Sequence, residues 1–280
     1  MIYFFNGCSH TEGAQIPPTQ TWANMVLQSI SLGAKFYHIR SIHGDTDVHL
    51  FQALTDIKKQ ISFKEPIGIS VAQSGKGNAA ICFETINYIE YLKQIKQKPE
   101  CVFIQWSGPS RTFIQTPEDQ VQFITPYNVN SKLGKDVILE PLASSLTLTY
   151  YIILQNYLEN NNIKYVFIDY MGIEDDVFNS YLKKSIKYDK VVYGKDDTLI
   201  DIFKVKHLNI DEQGHPNEKG FYYLASKILD KLNITTIPYH TWIDNLQYDD
   251  VIKLNKYFRV QVSSSEKLLG VTPGSIRKLL

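Results

Sequence analysis

The stretch that decides the fold is Ile2-Tyr3-Phe4-Phe5-Asn6-Gly7-Cys8-Ser9-His10-Thr11-Glu12-Gly13. A short apolar run, Ile2–Phe5, breaks at a glycine, a serine follows two residues later, and a second glycine comes four residues after that. Too short for a helix and apolar throughout, the run reads as a strand buried on both faces. A strand that gives way to a glycine-bounded turn presents the Ser9 hydroxyl at the edge of a sheet.

Three further runs share this character: Ile67–Val71, Val102–Trp106 and Tyr165–Ile168. Helical patterns lie between and after them, at Thr21–Ser29, Ala79–Ile95, Leu142–Leu158 and Pro216–Leu232. The last carries Phe221, Leu224, Ala225, Ile228, Leu229 and Leu232 on one stripe, with Pro216 suited to its first turn. Strand–helix alternation implies right-handed βαβ units and a three-layer α/β/α sandwich on a parallel sheet of about five strands. Ligands in such sheets bind beyond the carboxyl ends of the strands. Gly7–Gly13, Gln73–Asn78 and Ser107–Arg111 therefore converge on one crevice.

Composition narrows the class. The 280 residues carry 29 basic and 29 acidic side chains, with 44% hydrophobic and 21% charged. That is ordinary globular chemistry with no electrostatic footprint for nucleic acid. The three cysteines, Cys8, Cys82 and Cys101, are odd in number and have no metal-ligand spacing, which argues against a disulfide framework. No signal-peptide pattern precedes the first strand, and no apolar stretch reaches the roughly 18 residues of a membrane span. The expected location is the cytoplasm on synthesis. Two stretches fit the plan poorly. Lys35–Lys64 reads as an insertion containing His38, His43 and His49, and Ile234–Leu280 as an appendage after a main domain of residues 1–233.

The residues with chemical potential lie in the crevice loops. Ser9 needs a neighbouring base to act as a nucleophile, and otherwise serves an anion-binding turn or a cap. His215, ahead of a Pro-started helix, reads as an exposed, oriented imidazole, with Asp211 and Glu212 close enough in sequence to hold its tautomer. The glycines of Ser74-Gly75-Lys76-Gly77-Asn78 allow close backbone approach, and Asn78 reads as the cap of the next helix. Cys8 is a second, weaker nucleophile. His10, Glu12 and the three histidines of the insertion offer metal ligands at irregular spacing.

Taken together, Gly7-Cys8-Ser9-His10-Thr11-Glu12-Gly13, Ser74-Gly75-Lys76-Gly77-Asn78 and Glu212-Gln-Gly-His215-Pro-Asn-Glu-Lys-Gly220 resemble, in that order, blocks of the SGNH (GDSL-like) hydrolase superfamily. The phrasing is most similar to SGNH-like proteins encoded by bacteriophages. The resemblance implies a flavodoxin-like sandwich and hydrolysis of esters or acetylated glycans through a serine acyl-enzyme, with no cofactor. It implies Ser9 as nucleophile, His215 as base and Glu212 as acid, with Asp211 the alternative. Gly75, Ser110, Arg111 and Asn78 become oxyanion or substrate-binding candidates.

The third block departs from the family. Ser110, in Gly108-Pro109-Ser110-Arg111, stands where the family has an asparagine that donates to the oxyanion. Losing one such donor costs about 10²–10³ in turnover. Ser110 or Arg111 substitutes for it, or the activity is weakened. Arg111 has two further readings, as a contact for an acidic substrate and as a surface ion-pair partner. The rival to the enzyme is a catalytically impaired structural or adaptor protein of a phage virion, docked through residues 234–280.

Overall fold

The structure is a computed structural model that describes residues 1–13, 16, 20–38, 65–109, 111–115, 121–124, 140–170, 172, 177–192, 198–210 and 214–238. In chain order the elements are β1 (Ile2–Asn6), α1 (Ser9–Glu12), α2 (Trp22–Ile30), β2 (Lys35–His38), β3 (Ile67–Ser70), α3 (Asn78–Gln94), β4 (Pro99–Trp106), β5 (Thr112–Gln115), β6 (Val121–Ile124), α4 (Glu140–Asn160), β7 (Lys164–Asp169), α5 (Val177–Lys183), β8 (Val191–Val192), α6 (Leu199–Val205) and α7 (Glu218–Lys231).

Among the described residues six strands form one sheet in the order β2-β3-β1-β4-β7-β8, every pairing parallel. β1 is central, with β3 on one side and β4 on the other. Its side chains alternate between two cores. Ile2 and Phe4 face the α3–α4 layer, where Phe4 meets Tyr88. Tyr3 and Phe5 face the layer of α2 and α7, where Phe5 stacks on Phe103 and meets Trp22 edge-on. Burial on both faces is why this strand reads as a continuous apolar run.

The fold class is the one read from the sequence, with differences at the edges. Among the described residues the sheet has six strands instead of about five. The sixth is β2, which occupies the start of the stretch read as an insertion and pairs in register with β3. The last, β8, has two residues. A separate antiparallel pair, β5–β6, follows the turn after β4. Residues 39–64 and 239–280, with His43, His49 and nearly all of the appendage, lie outside the described residues. Ile234 and Ile237 pack on the α2–α7 side, and Tyr222 donates to the Ile237 carbonyl at 3.0 Å.

Two helix starts also differ from expectation. α7 opens at Glu218 and not at Pro216, because the Asn217 side chain accepts from the Gly220 N–H at 2.9 Å and acts as the cap. Pro216 pairs with Asn209 ahead of the helix. α3 is preceded by Gly77 at the cap position, and Asn78 is its first residue.

Asp169, at the carboxyl end of β7, gives a pH test of the sheet. Burial pushes its carboxyl up to about 6, against a Gly172 N–H donating at 2.9 Å and the charge of Lys183. A carboxyl raised above its unfolded value of about 4 binds a proton on folding in that window. Its contribution to stability therefore falls as pH rises from about 4 to 6 and is flat above. Asp169→Asn should gain stability relative to the parent by about 1–2 kcal/mol between pH 4 and 7, less than a full two-unit shift because the site is partly open to water. Denaturant titration at both pH values checks it; a pH-independent difference would refute it.

Candidate active site

Ser9 opens α1, a single turn that begins three residues beyond β1. Cys8 caps it in extended geometry, and the Thr11 and Glu12 N–H groups both donate to the Cys8 carbonyl, at 2.9 and 3.0 Å. As the first helical residue, Ser9 has an N–H with no partner inside the helix. The turn is fixed from below. Asn6 Oδ1 accepts from the Gly7 N–H at 2.8 Å, and Asn6 Nδ2 donates to Thr85 Oγ1 at 3.0 Å and to the Ile81 carbonyl at 3.2 Å.

His215 arrives from the far end of the sequence. The Ser9 Oγ to His215 Nε2 distance is 3.0 Å, across 206 positions of chain. Both residues are buried, at 5% and 6% exposure, so the histidine is not the exposed imidazole expected from its place before a helix. Its loop is folded back: Ile210 N–H donates to the His215 carbonyl at 2.7 Å, and Tyr170 Oη donates to the Gly214 carbonyl at 2.7 Å. Gly214 has φ +80, and a Cβ there would meet Ile200 Cγ1 at 2.4 Å, so only glycine delivers His215 this way.

The second crevice loop packs on the first. Glu12 accepts from both the Ser74 N–H, at 2.6 Å, and the Ser74 hydroxyl. Gly75 follows with φ +82, and the space where its Cβ would stand is open, which leaves its backbone uncovered on that side. Lys76 turns inward, where Nζ donates to Glu84 Oε2 at 2.5 Å, the Val71 carbonyl at 2.7 Å and Asn6 Oδ1 at 3.2 Å. Asn78 does not cap. Its Nδ2 donates to the Ser107 carbonyl and Thr147 Oγ1, both at 3.0 Å, and its Oδ1 accepts from the Ser107 N–H at 2.7 Å. Both ends of the amide are thus spent on holding the turn after β4.

Arg111 is buried in that turn, its N–H donating to the Gly108 carbonyl at 3.1 Å. Ser110, Asp211 and Glu212 lie outside the described residues. Cys8 is fully buried, and its Sγ lies 3.4 Å from His10 Nδ1. Burial pushes the thiol up, but the charge and hydrogen bond of His10, with the charge of Arg111, outweigh it and hold it down at about 5. Cys82 and Cys101 are buried thiols pushed up to about 12.

His10 and Tyr170 belong to the site and were not legible as such. The His10 ring stacks on His215 with centroids 4.6 Å apart and planes at 20°, and Tyr170 lies 4.6 Å from it. His10 thus backs the imidazole that meets Ser9. Its position next to Ser9 was the available signal. Trp106 is packing, stacked on Tyr151 at 4.3 Å. Among the described residues no group of three or more His, Cys, Asp or Glu is arranged to hold a metal ion, and no helix is long and apolar enough to cross a membrane.

No family model matches the sequence, and no curated protein matches it. Solved structures do. The chain is similar to a psychrotrophic esterase from Pseudoalteromonas sp. at 12% identity and TM-score 0.42, covering 83% of this chain and 96% of that one. It is similar to an acetyl xylan esterase, AlAXEase, at 14% identity and TM-score 0.42, covering 82% and 98%. A further match is Axe2, an acetylxylan esterase from Geobacillus stearothermophilus, at 14% identity and TM-score 0.40, covering 85% and 96%.

Proposed function

We propose that this chain is a serine-dependent hydrolase of carboxylic esters. The observation that carries the reading is the 3.0 Å contact between Ser9 Oγ and His215 Nε2. A hydroxyl with a base at that distance, at the carboxyl end of a parallel sheet, is the arrangement nucleophilic acyl transfer requires.

In the first half-reaction Ser9 Oγ attacks the carbonyl carbon and its proton passes to His215 Nε2. The carbonyl oxygen becomes an oxyanion facing the N–H groups of Ser9 and Gly75. Collapse of this intermediate expels the alkoxide, which takes the proton from His215, and leaves an acyl group on Ser9. Water then attacks the acyl-enzyme with His215 as base, releasing the acid and restoring the serine. Glu212 is the acid proposed to orient His215, with Asp211 the alternative. His10 supports the ring by stacking on it, and Ser9 is favoured over Cys8 because its hydroxyl, not the thiol, meets His215, while Cys8 Sγ contacts His10.

A covalent probe tests the nucleophile directly. Diethyl p-nitrophenyl phosphate should add one diethylphosphoryl group, on the peptide containing Ser9, as read by mass spectrometry. Ser9→Ala should take no label and His215→Ala should label at least about tenfold more slowly, since the base is lost. An adduct elsewhere, or none on the parent, would count against the reading.

A further inference from the structure

Two buried cations stand at the carboxyl end of this sheet, and the fold treats them differently. Lys76, 2% exposed, is closed off by a carboxylate, a carbonyl and an amide oxygen. Arg111, 8% exposed, has a buried Nη1 with no hydrogen-bond partner among the described residues. Carboxylates at this end of the sheet are engaged elsewhere, Glu12 by Ser74 and Asp169 by the Gly172 N–H. Among the described residues no carboxylate pairs with this guanidinium, and a buried guanidinium left without a carboxylate partner is costly.

The guanidinium is close enough to the Ser9 turn for its charge to act on Cys8. Ser107 Oγ and Gln105 Nε2, both at the same end of β4, also have no partner among the described residues. This surplus of donors lies at the carboxyl end of the strand paired with β1, the strand that leads into the Ser9 turn. A neutral acetyl ester offers the guanidinium only a carbonyl oxygen and no charge; a carboxylate matches its planar fork with two parallel hydrogen bonds.

We infer that Arg111 receives a negatively charged group of the substrate, so that the site takes esters bearing a carboxylate near the scissile carbonyl; this rests on the ester-hydrolase reading above. Arg111 is then the residue that sets specificity, and the anion arrives with the ligand.

The test compares p-nitrophenyl butyrate with mono-p-nitrophenyl succinate, which differ by a terminal carboxylate. The parent should favour the succinyl ester at least tenfold in kcat/KM, mainly through KM. Arg111→Gln should lower that preference at least tenfold, and Arg111→Lys, which keeps the charge, should retain part of it. An equal fall on both esters, as expected of a group that serves the oxyanion, would overturn the inference. So would a parent that prefers butyrate. Binding separates this from the hydrolase reading. Ser9→Ala should bind monomethyl succinate but not methyl butyrate by calorimetry at low salt, and the further change Arg111→Gln should abolish that binding. If binding behaves so while neither ester is hydrolysed by the parent, the hydrolase reading fails and the anion subsite stands. If monomethyl succinate does not bind at all, the subsite fails.

Discussion

Replacing Ser9 with alanine should lower kcat/KM for p-nitrophenyl acetate by at least about 10³-fold, or about 4 kcal/mol of transition-state stabilisation. His215→Ala should cost a similar factor, because attack by a neutral hydroxyl requires a base to take its proton. The double variant should be little worse than either single one, since two groups that act as a unit lose their joint contribution once. Folding should be nearly untouched in Ser9→Ala, because one hydroxyl leaves a small, otherwise packed position. Steady-state kinetics on the three variants, with circular dichroism as a control, is the measurement. Losses that multiply in the double variant would show that Ser9 and His215 act separately, despite the 3.0 Å between them.

The largest effect on stability is expected from Glu84→Gln. The Lys76 ammonium is almost wholly buried, and Glu84 is its only charged partner among the described residues. Removing that charge leaves the ammonium with the Val71 carbonyl and Asn6 Oδ1. Breaking a fully buried pair in this way costs about 3–5 kcal/mol. The Glu84 side chain is 24% exposed, so part of its attraction is already screened, and a loss of about 2–3 kcal/mol is expected. The same substitution in a Lys76→Met background should cost far less, since no cation then remains to be stranded. Urea titration of the four proteins gives the coupling. Equal costs of Glu84→Gln in both backgrounds would mean that the pair adds nothing. Catalysis should suffer with stability, because Lys76 and Asn6 together fix the Gly7 turn from which Ser9 projects.

What the sequence reveals here follows from how each residue is buried. β1, β3, β4 and β7 were legible because both faces of each meet a helix layer, which forces unbroken apolar runs. β2 was not, because Lys35-Phe-Tyr-His38 is an edge strand paired on one side only, and its pattern merges with the polar stretch after it. β8 is too short to carry a period. In the site, residue types were legible and partners were not. Asn78 carries a common capping residue's side chain, yet its amide is drawn across to the turn after β4, a tie no local pattern records. Lys76 looks like a solvated residue in a glycine-rich turn, and only the tertiary structure shows it pointing inward. The meeting of Ser9 with His215 was suggested by resemblance to a family and by no periodicity, since contact across 206 positions leaves no local trace.

The central place of β1 has a consequence for how the chain acquires its fold and the proposed site. β1 precedes in sequence both strands that flank it, so this segment must remain unpaired until β3 and then β4 emerge, and contacts between distant segments are slow to close. Such an apolar stretch is an aggregation hazard while it waits. The imidazole that meets Ser9 comes later still, after every strand of the sheet. During synthesis the proposed catalytic pair is therefore assembled only after the strands of the sheet, and on the ester-hydrolase reading a nascent chain gains activity only once the sheet around that pair has closed.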